Sequence, residues 1–265
     1  MELWHEPHPL EGVRLKIKWA GKHMDTIDEL LVKYQESDPL SLTYTLDEAG
    51  TFHEGRLDAK FPPFLDFGPE VGEFAYQLRS ALDNVVYALS VENLPGEFGS
   101  PEREAAERVP FFAIRRTQNE SAIRQHISFV DEGIREAVFA AIDKHQPYQR
   151  GEEAEYHPLA VLDEINLRDK HRIVNAATSN ITISTEDLAD GIEVVSGNAN
   201  AGDVIVRVPV GLDPAEAFHP RLSFQVILRV GRPDGGVEVT SLRGIHTYVE
   251  EEVMPDFIGF FPSES

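Results

Sequence analysis

Apolar residues along the first third of the chain recur at helical spacing. Between Leu10 and Tyr34 the positions Val13, Ile17, Ala20, Met24, Ile27, Leu31 and Tyr34 step by three and four, the stripe of a long amphipathic helix. The period then falls to that of strands. LSLTYTL (Leu40 to Leu46) and TFHEGRLDAKF (Thr51 to Phe61) flank the turn-forming DEAG and read as a hairpin, ended by Pro62 and Pro63. A second helix is predicted from about Pro69 to Val91, with Val71, Phe74, Leu78, Leu82, Val85 and Leu89 on its buried face. The segment from Asn93 to Arg108, with its Pro and Gly residues, reads as a surface loop. Val109 to Ile114 reads as a short buried extended segment.

Helical pattern resumes over Thr117 to Phe129 and Asp131 to His145. A loop follows from Arg150, and Pro158 opens a helix predicted to reach about Ala177. Beyond it, ITIST, IEVVS, DVIVRVPV and RLSFQVILRV are β-branched or alternating runs broken by turn residues, four or five strands. Leu242, Ile245, Val249, Val253 and Phe257 restore helical spacing at the end of the chain. Helices, then strands, then one helix indicate an α+β fold. The expected architecture is a helical bundle (residues 1–177, with a hairpin inserted at about 40–61) and an antiparallel sheet with a final helix (178–265). The two are expected to pack as one unit, the hairpin extending the sheet and the last helix returning to the bundle.

Composition narrows the chemistry. The 265 residues include no cysteine, which excludes disulfides, thiolate metal sites and a cysteine nucleophile. Asp and Glu number 46 against 24 Lys and Arg, a net charge of −22, and no Lys/Arg-rich run stands out. Such a surface repels phosphate backbones, so non-specific nucleic-acid binding is not expected. The longest apolar run, Ala137 to Ile142, is far too short to span a bilayer. With no secretory pattern near the amino terminus, no membrane association and a cytoplasmic location are expected.

No Gly-rich phosphate loop, H-E-x-x-H or G-x-S-x-G occurs. Two helical stretches instead carry polar groups beside or within their apolar stripes. In FAYQLRSALDNVVYAL, Arg79 and Asp83 are four residues apart on one face. In HPLAVLDEINLRDKHRIV, Leu159, Leu162, Ile165 and Ile173 define an apolar arc into which Asn166 and Asp169 fall. A buried carboxylate needs donors or a cation, so Arg79 is expected to contact the Asn166 to Asp169 turn across a helix–helix interface.

LRSALDN (Leu78 to Asn84), QPY (Gln146 to Tyr148) and HPL..LDEINLRDKHR (His157 to Arg172) resemble the hallmark segments of a bacterial and phage-borne family whose members read LRSALDH, QPY and HPLW with an N-x-x-DKHR ending. That resemblance supplies fold context and no activity. R-S-A-L-D-H also resembles, more weakly, the Arg-x4-His spacing of HEPN-type helical ribonucleases. Here the histidine position is Asn84, which cannot serve as a general acid or base. Arg150 and His157 satisfy the looser Arg-x6-His spacing.

Two functions follow as expectations. The first is a non-catalytic binding or assembly protein, with a homodimer as a candidate assembly, held by a buried Arg/Asp/Asn network that includes Asn84, Asn166 and Lys170. The second is a divergent HEPN-like ribonuclease or phosphodiesterase, with Arg79, Asp83, Asp169 and His171 as catalytic candidates. In that scheme Arg79 stabilises phosphate charge, and Asp169 or His171 moves protons. No cofactor is expected. His145, His157, Asp163, Asp169 and His171 are metal-ligand types in a short span, yet no His pair has i, i+4 spacing, and no metal is expected.

Overall fold

A computed structural model of the chain describes residues 8–60, 64–170, 175–184, 188–218, 220–230 and 236–262. It is an α+β fold whose chain divides into two compact units, each assembled from separated stretches of sequence. One unit comprises Met1–Ile27, Pro69–Ile173 and Thr240–Ser265; the other comprises Asp28–Gly68 and Val174–Val239. This division differs from the expected one near residue 177. Strand pairing gives the reason: the early hairpin hydrogen-bonds to a strand some 150 residues later, so it belongs with the sheets.

The strand unit holds two four-stranded antiparallel sheets. Hairpin strands β1 (Leu40–Leu46) and β2 (Phe52–Ala59) join β4 (Glu193–Val194) and β6 (Val204–Pro209) in the order β1-β2-β6-β4. Strands β3 (Asn175–Ser184), β5 (Asn198–Ala199), β7 (Arg221–Arg229) and β8 (Val237–Glu238) form the second sheet, β5-β3-β7-β8. Leu57, Ile205, Val206 and Val208 of the first sheet meet Ile181 and Ala199 of the second in one apolar core with Phe218. Strand β6 contributes three of these residues, burying Ile205, Val206 and Val208 while Arg207 is exposed.

Helices α1 (Glu11–Glu36) and α2 (Phe64–Ser90) each contribute to both units. Within the helical unit α1 buries Val13, Ile17, Ala20 and Met24, and α2 buries Val71, Phe74, Leu78, Leu82 and Val85, as their stripes predict, while Leu89, expected on the same face, is half-buried. Helix α2 starts before Pro69 and not at it. The expected loop over residues 93–108 contains α3 (Pro101–Ala106), capped by Ser100, whose hydroxyl accepts from the Arg103 N–H at 3.2 Å. Helices α4 (Glu120–His126) and α5 (Arg135–Lys144) are shorter than predicted.

Between Pro147 and Tyr156 the chain forms tight 3-10 turns broken at Gly151, whose φ of 57° favours glycine. Helix α6 (Pro158–Asp169) ends well short of Ala177, because Asn175 to Ala177 begin β3. Its β-branched continuation satisfies strand pairing with β7 better than a longer helix. The short helix α7 (Pro214–Ala217) lies before β7. The last segment is helical as expected: α8 (Ser241–Thr247), a π turn over Tyr248–Val253 and α9 (Pro255–Ile258). Leu242, Ile245, Val249, Val253 and Phe257 are all buried along it. No helix of the described residues is long and apolar enough to cross a membrane.

Candidate functional site

Two polar clusters occupy the helical unit. The first is built around Arg79, in the middle of α2, whose side chain keeps only 11% of its surface exposed. Its Nη1 lies 3.0 Å from Asp83 Oδ1, one turn along, and its Nε lies 3.8 Å from Asp163 Oδ1 on α6. The guanidinium also sits 5.8 Å from the centre of the Phe111 ring. Arg79 therefore does meet α6, but at Asp163 and not at Asp169. Among the described residues no ion pair joins Arg79 to Asp169.

Asp169 instead lies against α2 two turns earlier. A Cβ added at Gly72 would stand 2.4 Å from the Asp169 carboxyl, so only glycine admits this approach. The two contacts are separated by seven residues on α2 and six on α6, in opposite sense, as antiparallel helices in register require. The expected pairing fails because this register sets Asp169 opposite Gly72, two turns of α2 away from Arg79. The carboxylate is at a helix terminus and half-buried, not inside a continuing apolar arc. Burial raises its pKa above the ordinary carboxylate range, and the neighbouring Glu73 charge adds to the effect.

Asp83 has a second task. Its Oδ1 accepts the Phe112 N–H at 3.0 Å. Phe112, Ala113 and Ile114 form the expected buried extended segment, but it belongs to no strand ladder. Its backbone groups are satisfied by side chains instead. Gln146, fully buried, accepts the Arg115 N–H at 2.8 Å and donates to the carbonyls of Ala113 and Ile142 at 2.8 and 3.1 Å. Burial pushes the Asp83 pKa up, against the opposing pull of Arg79, the Phe112 N–H and Lys170.

Arg116 closes the edge of the cluster, with its Nε donating to Glu155 at 2.8 Å and Nη2 to the Ala160 carbonyl at 3.0 Å. Its Nη1 lies 3.9 Å from Asp163. Asn166 is buried on α6, Asn84 is half-buried on α2, and Lys170 is exposed at the end of α6. His171 lies outside the described residues.

The second cluster links residues far apart in sequence. The Leu159 N–H at the start of α6 donates to His157 Nδ1 at 3.2 Å, which places the proton of a neutral His157 on Nε2. That Nε2 is 3.2 Å from the Tyr248 hydroxyl, itself 3.0 Å from His145 Nδ1. His145 Nε2 then reaches Asp256 Oδ2 at 2.7 Å. With His145 neutral the donors run in one direction, from His157 to Tyr248 to His145 to Asp256; with His145 protonated, its two nitrogens donate to Tyr248 and to Asp256. Both histidines are buried, and Tyr248 stacks edge-on against each ring.

Burial, with the Arg150 and His145 charges, lowers the His157 pKa to about 4. Burial alone would raise that of Asp256, but the hydrogen bonds from Lys144 and His145 hold it below the ordinary range. Sequence reasoning reached His145 only as a metal-ligand type, and His157 as a metal-ligand type and as the histidine of the Arg-x6-His spacing. Tyr248 and Asp256 carried no signal, and Asp163 entered only as another ligand type. Gln146 and His157 do fall inside the QPY and HPL segments.

Among the described residues no group of three or more His, Asp or Glu is placed to hold a metal ion. A cavity of about 350 Å³ lies elsewhere in the helical unit, lined by Leu10, Val13, Ile17, Met254 and Ile258 with Arg14 and Glu250. None of the candidate residues lines it. No family model, curated protein or solved structure matches the chain.

Proposed function

We propose that the chain is a non-catalytic binding or assembly protein whose Arg79 network fixes the docking of α2 on α6. The observation that carries this reading is the closure of the Arg79 guanidinium between Asp83 and Asp163, nine-tenths buried. Two carboxylates at 3.0 and 3.8 Å offset its positive charge, which leaves little attraction for a phosphate. Asp83 is committed as well, to the backbone of residue 112. His157, the histidine of the Arg-x6-His spacing, has both ring nitrogens engaged, one by the α6 terminus and one by Tyr248. These commitments weigh against the HEPN-like phosphodiesterase alternative, which requires a free arginine and a free acid–base group.

The test separates stability from turnover. Arg79→Ala removes the only cation within 4 Å of Asp83 among the described residues and leaves that carboxylate with the Phe112 N–H and without its counter-charge. Both partner carboxylates are about one-third exposed, so the loss should fall below the ~3–5 kcal/mol of a fully buried pair, at about 2–3 kcal/mol. The variant should therefore melt several degrees lower. The wild-type protein should cleave neither single-stranded RNA nor bis-p-nitrophenyl phosphate. Cleavage that is lost in an Arg79→Lys variant of unchanged melting temperature would replace this reading with the phosphodiesterase.

A further inference from the structure

We infer that the outer face of α1 is a docking surface for an acidic polypeptide segment carrying an apolar anchor. The inference rests on the binding reading and names the chemistry of a partner. From Gly12 to Met24 the chain contains Arg14, Lys16, Lys18 and Lys22 and no Asp or Glu, within a protein of net charge −22. The basic positions are spaced singly between apolar residues, which hides them as a run, but the helix gathers them. Leu15, Lys18, Trp19 and Lys22 fall at i, i+3, i+4 and i+7, so they form one stripe opposite the buried Val13, Ile17 and Met24.

That stripe combines charge with unusually large exposed apolar groups. Leu15 is 53% exposed and Trp19 44%, and Tyr76 of α2 is 50% exposed. The lysines are held on the rings: Lys22 Nζ lies 3.9 Å from the Trp19 centroid, and Lys16 Nζ lies 5.8 Å from that of Tyr76. Among the described residues no carboxylate pairs with Lys16, Lys18 or Lys22. Lys16 and Lys22 are thus oriented by aromatic faces and, with Lys18, left available to an incoming anion, with apolar surface between them.

Charge complementarity selects the occupant. From Leu15 to Lys22 the stripe spans only about 10 Å. At physiological salt a charge is felt over about 8 Å, so the patch attracts a short acidic segment locally. RNA or an anionic membrane extends beyond that footprint and meets the acidic remainder of the surface. A peptide that alternates carboxylates with a leucine or similar anchor satisfies the lysines and covers Leu15 and Trp19 together.

The sequence contains two tryptophans, so a Trp4→Phe background makes Trp19 the sole indole reporter. The full chain in that background is titrated with a synthetic Glu/Leu peptide, and in parallel with a Lys/Leu peptide, polyuridine RNA and phosphatidylserine vesicles. A saturable change in Trp19 emission with the Glu/Leu peptide alone is expected. It should weaken with salt and become at least ~10-fold weaker in Lys18→Glu/Lys22→Glu. Circular dichroism of that exposed-site variant, and a separate Leu15→Ser variant, guard against misfolding as the cause. No saturable change up to ~1 mM peptide, equal affinity in the charge-reversed variant, or tighter binding to RNA or vesicles would overturn the inference. Failure of the peptide removes this surface and leaves the binding reading intact, since that reading falls only to Arg79-dependent turnover.

Discussion

Protonation of His157 should destabilise the helical unit, and the size of the effect follows from its surroundings. The ring is buried, caps α6 through Nδ1 and donates to Tyr248 through Nε2. A second proton has no acceptor, because Nδ1 already faces the Leu159 N–H. Burial, Arg150 and His145 accordingly depress the pKa from 6.5 to about 4. Since the folded pKa lies below the unfolded one, the unfolded chain binds the extra proton in that interval. The contribution is fully present above pH 6.5 and is lost as the pH falls toward about 4. At ~1.4 kcal/mol per unit, the loss amounts to about 3 kcal/mol, a large part of the stability of an ordinary domain.

Urea unfolding between pH ~7 and ~4.5 measures this directly for the wild type and for His157→Asn. Asparagine is a good helix cap and does not titrate, so it retains the α6 contact while losing the Tyr248 hydrogen bond. At neutral pH the variant should be less stable by about 1 kcal/mol. Its stability should then fall less steeply with acid, by close to one proton's worth of slope. His126 titrates in the same direction, through burial, and is common to both proteins. Parallel stability curves for the two proteins would refute the reasoning, because they would mean that His157 does not distinguish the folded from the unfolded state.

Three further outcomes follow from the same geometry. Gln146→Leu keeps the volume but strips partners from the Arg115 N–H and the carbonyls of Ala113 and Ile142, and should cost about 3–5 kcal/mol by chemical denaturation. Asp169→Asn should raise the melting temperature at neutral pH, since burial and Glu73 both disfavour the ionised carboxyl; the gain should vanish in acid, where Asp169 is protonated. Gly72→Ala, which forces the Asp169 carboxyl aside, should be neutral or destabilising alone. In an Asp169→Ala background it should instead stabilise by up to ~1 kcal/mol, the helix-propensity gain of alanine over glycine, as a double-mutant thermal series would show.

Much of the fold was legible because it depends on local period. The stripe from Val13 to Tyr34 and the face from Val71 to Val85 each state which side is buried, and the buried residues agree except at half-buried Leu31; in β6 the neighbours Ile205 and Val206 are both buried, which alternation does not state. The loop reading of residues 93–108 missed α3, whose cap at Ser100 and proline at its first position are local chemistry. The composition alone removed cysteine chemistry. Arg79 and Asp83 were paired correctly because an i, i+4 relation is fixed by the helix itself.

What tertiary structure decided is where register and termination matter. The antiparallel register of α6 on α2 makes Asp163, and not Asp169, the partner of Arg79, and nothing local to either helix sets that register. Val109 to Ile114 reads as a short buried extended segment, and Asp83 and Gln146, not a neighbouring strand, accept the backbone N–H groups of Phe112 and Arg115, an arrangement no periodicity encodes. The chain from His157 through Tyr248 and His145 to Asp256 joins residues about ninety positions apart or more. The sequence determines side chains able to donate and accept there, but only the packing of the last helix against the start of α6 and the end of α5 brings them within 3.2 Å, because hydrogen bonds are satisfied in space and not along the chain.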